Sequence, residues 1–320
     1  MTIPANIWER MSSLTALIIG DVMLDKYIWG SIDRISPEAP VPVVHVKKKD
    51  ARLGGAANVA LNVRALGATP ILCAVAGNDD AGATLISRLK DLKITDEGIL
   101  RIEHRPTTTK TRIISSQQHV VRIDEETDAP LAEKCRAQLL EKILKLMPKA
   151  DVIIFEDYDK GVVSPELIQN VMDNAVRAGI PVVVDPKKRN FLSYKGVQLF
   201  KPNLKELAEG LNLEIDKSDN SSVANAIDKL RKSIGCERVL VTLSEHGVYA
   251  DTGKEQYHYP AHRREIADVS GAGDSVISVA ALAYALELPL NVVASLANLA
   301  GGLVCEHSGV VPIDLEKLKE

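Results

Sequence analysis

Short apolar runs alternate with segments of helical spacing along most of the chain. The runs that predict buried strands are residues 14–20, 71–76, 152–155, 181–185 and 239–243. The segments that predict helices are residues 56–66, 81–92, 131–146, 165–178 and 223–234. A continuous apolar run suits a strand that is buried on both faces. The alternation therefore predicts an α/β fold with a mostly parallel central sheet and helices on both of its faces.

Acidic residues close several of these predicted strands. Asp21, Glu156 and Asp185 each stand at or just after the last apolar position of a run. Parallel strands end at the same edge of a sheet, and ligands of such folds bind beyond the carboxyl ends of the strands. We therefore expect the three carboxylates to face one functional edge.

Two β-rich stretches interrupt the alternation. Residues 26–46 and 107–124 are rich in β-branched side chains, alternate polar with apolar positions and lack a helical period. They predict a small second sheet over the strand ends, which serves as a lid or as a dimer surface. A decorative hairpin is the alternative that the pattern leaves open. From residue 269 onward the chain is nearly all helical, and no linker divides it, so we expect one domain over residues 1–320 that carries this lid.

Composition excludes several classes of protein. The chain has 320 residues, of which 46% are hydrophobic and 26% are charged, and its net charge is -4. These are ordinary values for a globular protein, and no stretch is basic enough to follow a nucleic-acid backbone. The most apolar segment, residues 276–286, is too short to cross a membrane, and the first residues lack a secretory signal pattern. We expect a cytoplasmic protein that binds neither nucleic acid nor membrane.

The segment from Asp268 to Ser275, with the sequence DVSGAGDS, is the sharpest local motif and precedes an apolar helix. Its two glycines let a ligand approach the backbone, and free N–H groups at a helix N-terminus bind anions. Asp274 stands close enough to such an anion to act as a base, a combination that suits phosphoryl transfer. A plain glycine turn, in which Asp274 only stabilises the helix dipole, is the alternative.

Two other helix starts carry polar groups. Gly54 and Gly55 precede a helix that bears Asn58, and a small polar substrate could rest on this backbone; tight helix packing is the alternative. Asn203 and Glu206 lie three positions apart and so share one helix face, where an amide and a carboxylate could hold hydrated Mg²⁺. The same pair fits a simple capping box.

Together, Gly54-Gly55-x-x-Asn58-x-Ala60, Asn203-x-x-Glu206 and the DVSGAGD segment resemble the signatures of the ribokinase, or PfkB, family of sugar kinases. The resemblance covers essentially the whole chain. It implies a ribokinase-like fold with ATP and Mg²⁺ as cofactors. It makes Asp274 the base on the acceptor hydroxyl, and it makes the turn of Gly271, Ala272 and Gly273 the anion hole.

The resemblance also implies roles for individual positions around this centre. Asn203 and Glu206 would act on the phosphates through Mg²⁺ and water. The implied nucleotide-binding positions are Asn203, Thr242, Ser244, Gly247 and Asn298. The implied sugar-binding positions are Asp21, Asp25, Gly54, Gly55 and Asn58. A monovalent cation at the backbone carbonyl of Asp268 is left open.

Within the family, the stretches GDVMLDKYIWGSIDRISPEAPVPV, DYDKG and VDPKKRNF most resemble kinases of D-glycero-D-manno-heptose 7-phosphate. This resemblance implies phosphorylation of the anomeric hydroxyl to the 1,7-bisphosphate, a step in the synthesis of lipopolysaccharide heptose precursors. Many such kinases are fused to a nucleotidyltransferase, which we do not expect in this chain. Because exposed strand edges tend to self-associate, we expect a homodimer that pairs through the lid.

An acceptor that carries its own phosphate needs cationic groups. Lys160 and Lys187 each follow an acidic strand end, and the motifs offer them no other acidic partner. We predict that both lysines hold the acceptor phosphate, with solvated surface charge as the alternative. Two other functions stay open: another sugar or sugar-phosphate kinase, acting for example on a hexose phosphate or ribose, and a silent sensor that binds nucleotide or sugar on the same fold.

Overall fold

The computed structural model describes residues 6–116, 118–216, 219–261 and 265–320 and contains two β-sheets flanked by helices. The strands are β1 (Thr15–Gly20), β2 (Val22–Ile35), β3 (Pro42–Gly55), β4 (Thr69–Gly77), β5 (Ile99–Ile102), β6 (Thr109–Ser115), β7 (Gln118–Glu125), β8 (Val152–Glu156), β9 (Val182–Asp185), β10 (Leu199–Phe200), β11 (Arg238–Thr242), β12 (Val248–Asp251) and β13 (Gln256–Tyr259). The helices are α1 (Ile7–Ser12), α2 (Ala56–Ala65), α3 (Asp80–Asp91), α4 (Glu133–Leu146), α5 (Pro165–Ala178), α6 (Leu204–Leu211), α7 (Asn220–Ile234), α8 (Ala272–Ala285), α9 (Leu290–Val304) and α10 (Leu315–Lys319).

The central sheet has nine strands in the order β13-β12-β11-β10-β9-β8-β1-β4-β5. Every pairing from β11 to β5 is parallel, and the edge strands β12 and β13 are antiparallel. Helices cover both faces, which confirms the predicted fold class. Because a strand's side chains alternate between faces, Ile154 of β8 packs in the core beneath α2, α8 and α9, while Phe155 packs in the core beneath α4, α5 and α7.

The helix boundaries follow local capping chemistry. Helix α5 occupies the predicted range because Ser164 accepts a hydrogen bond from the N–H of Leu167, Pro165 begins the first turn and Gly179 ends the helix in the left-handed region. Strands β5, β10, β12 and β13 lie outside the apolar runs that predicted strands. Strand β10 has only two residues and β13 is half-exposed, so neither produces a continuous apolar run. None of the described helices has the length and hydropathy needed to cross a bilayer.

The two β-rich stretches form one four-stranded sheet, the lid, with the order β3-β2-β6-β7. Strands β2 and β3 are antiparallel, as are β6 and β7, and β2 pairs with β6 in parallel. Residue 117, at the turn between β6 and β7, lies outside the described residues. The lid begins and ends beyond the predicted ranges because β2 leaves directly after β1, and β3 continues to Gly55 at the start of α2. The lid therefore joins the central sheet at its functional edge.

Candidate active site

Asp274 lies in the first turn of α8 and is 3% exposed. Its Oδ2 accepts a hydrogen bond from Asn58 Nδ2 at 2.6 Å, and its Oδ1 accepts one from the hydroxyl of Tyr158 at 2.7 Å. Burial raises the pKa of Asp274 to about 6, although these two hydrogen bonds lower it. A carboxylate with this pKa is ionised at neutral pH and remains basic enough to take a proton from a hydroxyl group.

The turn before Asp274 requires glycine at position 271. Gly271 is the N-cap of α8 with φ of 82°, and a Cβ there would lie 2.8 Å from Asn58 Nδ2. At Gly273 the nearest atoms to an added Cβ are Asp185 Oδ2 at 3.7 Å and Lys201 Nζ at 3.8 Å. The turn therefore faces a buried ion pair across a narrow gap. N–H groups in a first helical turn have no intrahelical acceptor, so this turn is suited to hold an anion.

A row of charged side chains lines the carboxyl ends of β8 to β10, on the face that α8 covers. Glu156 pairs in register with Asp185, and Lys201 follows β10 and donates to Asp185 at 2.7 Å. Both carboxyl oxygens of Glu156 and Oδ1 of Asp185 are buried and accept no hydrogen bond. Burial, and then the charges of Asp185 and Asp274, hold the pKa of Glu156 well above its usual range. The functional edge predicted from the strand ends is therefore rich in unsatisfied acceptors.

Asn203 and Glu206 form a capping box at the start of α6, the alternative that the sequence left open. Asn203 Oδ1 accepts the N–H of Glu206 at 2.8 Å, and Glu206 Oε2 accepts the N–H of Asn203 at 2.8 Å. The other carboxylate oxygen of Glu206 contacts the ammonium group of Lys187. In the described part of the chain, no three His, Cys, Asp or Glu side chains converge to hold a metal ion directly. Binding of hydrated Mg²⁺ by Asn203 and Glu206 through water stays a prediction.

The implied nucleotide-binding residues lie along one border of the central sheet. Thr242, at the end of β11, forms a bridge to Asn203. Ser244 and Gly247 both have positive φ in the turn that joins β11 to β12, and a Cβ on Gly247 would clash with the carbonyl oxygen of Tyr259. Asn298 of α9 donates to the carbonyl of Pro260 at 2.9 Å. A nucleotide-binding role for these residues stays a prediction.

The implied sugar-binding residues gather where the lid meets the central sheet. The Asp21 carboxylate is buried and accepts backbone N–H groups from Tyr158, Lys160 and Val162 at 2.9–3.2 Å. Burial, followed by the charge of Asp157, raises the pKa of Asp21 to about 6. Asp21 therefore fixes the loop after β8, and hydroxyl binding by this side chain stays a prediction.

Asp25 lies on β2 of the lid, where it pairs with the guanidinium group of Arg112 on β6. Gly54 of β3 leaves room for the Asp25 carboxylate, because an added Cβ would overlap Asp25 Oδ2. Gly55 has φ of 56°, and its Cβ would clash with the Asp21 carbonyl. The two glycines thus allow the backbone of β3 to lie close to Asp25 and to the Asp21 carbonyl where the lid meets the central sheet.

Both predicted phosphate-binding lysines have acidic partners in the structure, although the motifs around them offered none beyond the strand-end carboxylates. Lys160 Nζ donates to Glu126 Oε1 at 2.7 Å, beyond the end of lid strand β7. Lys187 contacts Glu206 and lies 5.1 Å from the centre of the Tyr158 ring. These partners come from distant segments, which the spacing of the motifs could not indicate. Lys160 therefore lies on the lid side of the cleft, and Lys187 lies beside the capping box.

Comparison with known proteins assigns the family. The family model for pfkB family carbohydrate kinases matches residues 16–317. The chain belongs to this family. It is therefore a sugar kinase, a phosphotransferase with an alcohol group as acceptor. The predicted family is confirmed.

Relatives of this pfkB kinase include the Bifunctional protein HldE of Syntrophotalea carbinolica, 40% identical over 319 residues that cover 98% of this chain and 64% of that protein. HldE of Caulobacter vibrioides is 43% identical over 307 residues, covering 95% of this chain and 62% of that protein. The chain thus spans less than two thirds of the length of these relatives.

Solved structures share the fold. A crystal structure of phosphofructokinase-2 from Escherichia coli in complex with potassium has a TM-score of 0.80 at 21% identity, covering 96% of this chain and 97% of that chain. Ribokinase of Arabidopsis thaliana complexed with ribose and ATP has a TM-score of 0.75 at 17% identity, covering 96% of this chain and 99% of that chain.

Sequence reasoning missed several residues of this kinase's site. Tyr158 lies in the DYDKG stretch, but no spacing rule directs its hydroxyl to Asp274. Arg112 is one polar position among several in the alternating pattern of residues 107–124, and nothing in that pattern distinguishes it. Arg52 of β3 donates to the carbonyls of Ser308 and Val310 at 3.0 Å each. Lys201 was visible beside Asn203 in the KPN stretch, where an apolar run ending in lysine could have marked a buried cation.

Proposed function

We propose that this pfkB kinase transfers the γ-phosphoryl group of ATP to the anomeric hydroxyl of D-glycero-D-manno-heptose 7-phosphate, giving the 1,7-bisphosphate. The observation that carries the transfer chemistry is the buried Asp274 carboxylate, held by Asn58 at the N-terminus of α8. The choice of sugar rests on the resemblance of the lid, DYDKG and VDPKK stretches, and on the identity of about 40% to proteins named HldE.

The chemistry follows from the position of Asp274. Its carboxylate takes the proton of the acceptor hydroxyl as the acceptor oxygen bonds to the γ-phosphorus, and the bond between that phosphorus and the leaving ADP oxygen breaks. The turn of Gly271, Ala272 and Gly273 holds the equatorial phosphoryl oxygens with backbone N–H groups. Preorganised donors of this kind act where negative charge develops in the transition state.

The residues present suit ATP with Mg²⁺. The buried carboxyl groups of Glu156 and Asp185, three of whose oxygens accept no hydrogen bond, lie near the ammonium groups of Lys187 and Lys201. Asn203 and Glu206 are the residues that we propose to contact the hydrated ion through water. When bound, Mg²⁺ supplies neutralisation of the phosphate charge. The residues that we propose to border the nucleotide are Thr242, Ser244, Gly247 and Asn298. A monovalent cation at the backbone carbonyl of Asp268 stays open.

On the acceptor side, Asp25 and Asn58 are proposed to bind sugar hydroxyls, with Asp21, Gly54 and Gly55 shaping the backbone around them. Arg112 holds the Asp25 carboxylate, so Asp25 accepts a sugar hydroxyl from a fixed direction. Lys160 and Lys187 are proposed to contact the 7-phosphate. An incoming dianion would compete with Glu126 for Lys160 and with Glu206 for Lys187, because phosphate carries more charge than one carboxylate.

Steady-state turnover across acceptors tests the function. ATP consumption is measured with heptose 7-phosphate, the unphosphorylated heptose, fructose 6-phosphate and ribose, and we expect the highest kcat/KM for heptose 7-phosphate. Higher kcat/KM for fructose 6-phosphate or ribose would assign the chain to another sugar kinase activity. Binding of ATP and a sugar without turnover of any acceptor would favour the silent sensor.

We also propose that two copies pair through the outer face of the lid. The outer face is the side opposite Tyr27 and Arg52, and strand alternation gives its apolar residues as Ile28, Ile32, Val44, Val46, Ile113, Val121 and Ile123. Val46, Val121 and Ile123 are about half exposed. Such a continuous apolar surface is typical of an interface between subunits.

Sedimentation at micromolar concentration tests this pairing. We expect a dimer that Val121→Glu converts to a monomer. Val176→Glu, at an apolar residue that is 69% exposed outside the lid, is the matched control and leaves the dimer intact. A monomeric wild type, or a Val121→Glu variant that stays dimeric, contradicts pairing through the lid.

A further inference from the structure

Tyr158 is a polar residue of the site that the proposed reaction does not use. It follows β8, and its hydroxyl donates to Asp274 Oδ1 at 2.7 Å while Asn58 donates to Oδ2 at 2.6 Å. Asn58 comes from α2 and Tyr158 from the loop after β8, so two separate elements fix the plane of one carboxylate. Each carboxylate oxygen keeps a further lone pair for the acceptor hydroxyl.

Tyr158 is itself held in place from three sides. Its backbone N–H donates to Asp21 Oδ2 at 2.9 Å, its ring lies beneath the Lys187 ammonium group, and Gly55 leaves space beside its edge. Burial and the charge of Asp274 hold the pKa of the Tyr158 hydroxyl well above its usual range. The phenol therefore remains a proton donor and does not act as a second base.

The other charged groups around Asp274 lie at the carboxyl ends of strands β8, β9 and β10. Glu156 of β8 and Asp185 of β9 add negative charge, and Lys201 after β10 adds positive charge. The Lys187 ammonium group lies over the Tyr158 ring on the other side. In the described residues, only Asn58 and Tyr158 donate hydrogen bonds to the Asp274 carboxylate.

We infer that Tyr158 is a positioning residue for the base: its hydroxyl holds the Asp274 carboxylate ionised and oriented toward the acceptor hydroxyl. Tyr158 gives up no proton, since the acceptor's proton passes to Asp274. This inference rests on the proposed role of Asp274, and it adds a residue that links the loop after β8 to the phosphoryl-transfer centre. The same loop carries Lys160, so movement of the loop would also move the donor to the base.

The pH profile of Tyr158→Phe tests the inference. A hydrogen bond to a charged group favours the charged form, so its loss raises the pKa at which Asp274 ionises. We expect the acidic limb of the kcat profile to move up by about one to two pH units, with kcat at pH 6 reduced about fivefold to fiftyfold and KM for ATP little changed. An acidic limb that stays within 0.3 pH units of wild type, roughly a twofold change in the ionisation constant, overturns the inference.

A matched control separates this effect from general loss of a buried phenol. Tyr194 is fully buried, and its hydroxyl donates to the Asp157 carboxylate at 2.9 Å, away from Asp274. Tyr194→Phe removes an equivalent hydrogen bond from a nearby carboxylate. We expect its acidic limb to match that of wild type, and a shift equal to that of Tyr158→Phe would contradict a specific role for Tyr158.

A second measurement needs no turnover. Aspartate labelled with ¹³C at Cγ gives a carboxyl resonance for Asp274, assigned by its absence in Asp274→Asn, and its titration midpoint is compared between wild type and Tyr158→Phe. A higher midpoint in the variant supports the inference even if no sugar on the panel is phosphorylated, a result that would reject the proposed function alone. An unchanged midpoint overturns the inference even if the wild type is an active heptose kinase.

Discussion

Two regions line the proposed active-site cleft: the wall formed by the carboxyl ends of the central strands and the wall formed by the lid. They differ in how their charged side chains are paired. On the wall formed by the strand ends, Glu156, Asp185 and Lys201 are almost fully buried, and three carboxyl oxygens have no hydrogen-bond partner. On the lid, Asp25 is paired with Arg112, and Lys110 is paired with Asp124 and Glu126. A charge that is buried without a partner lowers stability, whereas a paired and partly exposed charge contributes little. The strand-end wall thus holds buried acceptors that a ligand can satisfy, whereas these lid charges are already paired.

The strongest test of this comparison is Asp274→Asn, on the buried wall. The amide keeps the shape of the carboxylate, and the Tyr158 hydroxyl can accept a hydrogen bond from it as well as donate one. We expect kcat to fall by about 10²–10⁴-fold, because the general base is lost. Calorimetric binding of ATP and sugar should stay near wild type. Turnover within a factor of a few of wild type would show that Asp274 is not the base.

Lysine substitutions compare the two walls directly. Lys160 pairs with Glu126 beyond the end of lid strand β7, whereas Lys187 contacts Glu206 of the capping box. We expect Lys160→Met to lower kcat/KM for heptose 7-phosphate by about 10–100-fold and to spare the KM for ATP, since charge-assisted hydrogen bonds to the acceptor phosphate are lost. Lys187→Met should lower kcat/KM for the sugar phosphate to a similar degree.

Its contact with Glu206 gives Lys187 a second expected effect. We expect Lys187→Met to raise the KM for ATP as well, because Glu206 loses its ammonium partner at the proposed magnesium position. Initial-rate kinetics with each substrate varied in turn measure both effects. Weakening of ATP alone in both variants would move the lysines to the nucleotide side and remove local support for a phosphorylated acceptor.

A stability measurement tests the unsatisfied charge of the buried wall. The raised pKa of Glu156 means that the folded protein favours the protonated form, so stability falls as the pH rises from the unfolded value through the folded value. Glu156→Gln keeps the shape and removes this pH-dependent loss. We expect the free energy of unfolding to rise by about 1–3 kcal/mol at pH 8 and by less at pH 5.

Urea unfolding of the wild type and variant at the two pH values measures the difference. Glu103→Gln, at an exposed position outside the strand-end row, is the matched control and should change stability little at either pH. If Glu156→Gln is less stable than wild type at pH 8, the Glu156 carboxylate has a stabilising partner, and the contrast between the walls fails at this residue.

The same contrast decides what could be predicted from the sequence. Strand ends and glycine turns are local, so Asp185, Gly271 and Asp274 could be located from apolar runs and motif spacing. Ion pairs between distant segments are not local: Arg112 meets Asp25 only when β2 and β6 pair within the lid, and Lys160 meets Glu126 only when the end of β7 lies beside the loop after β8. The sequence therefore locates the acidic strand ends and the glycine turn but not Lys201, and the ion pairs of the lid depend on tertiary contacts that motif spacing does not indicate.

The smallest expected effect concerns the connection between the walls. Arg52 of the lid donates to the carbonyls of Ser308 and Val310, and Val310 lies 3.4 Å from the position of a Cβ on Gly271 in the anion hole. Arg52→Gln removes these two hydrogen bonds, while Tyr27 of β2 still accepts the N–H of Val310 at 3.2 Å. Because a hydrogen bond of this kind contributes about 0.5–1.5 kcal/mol, we expect kcat to fall about threefold to tenfold while melting temperature changes little.

Arg88→Gln provides the control for Arg52→Gln. Arg52 and Arg88 both contact the Asp50 carboxylate, at 3.0 and 3.8 Å, but among the described residues Arg88 has no hydrogen bond to residues 308–310. Its removal therefore takes away a charge near the lid and leaves the anion hole supported, so we expect wild-type kcat. Equal losses in both variants would assign the effect to the charge of Asp50. A decrease in kcat in Arg52→Gln alone would mean that the anion hole depends on hydrogen bonds from the lid. The two walls would then act as one site, although their charged side chains are paired differently.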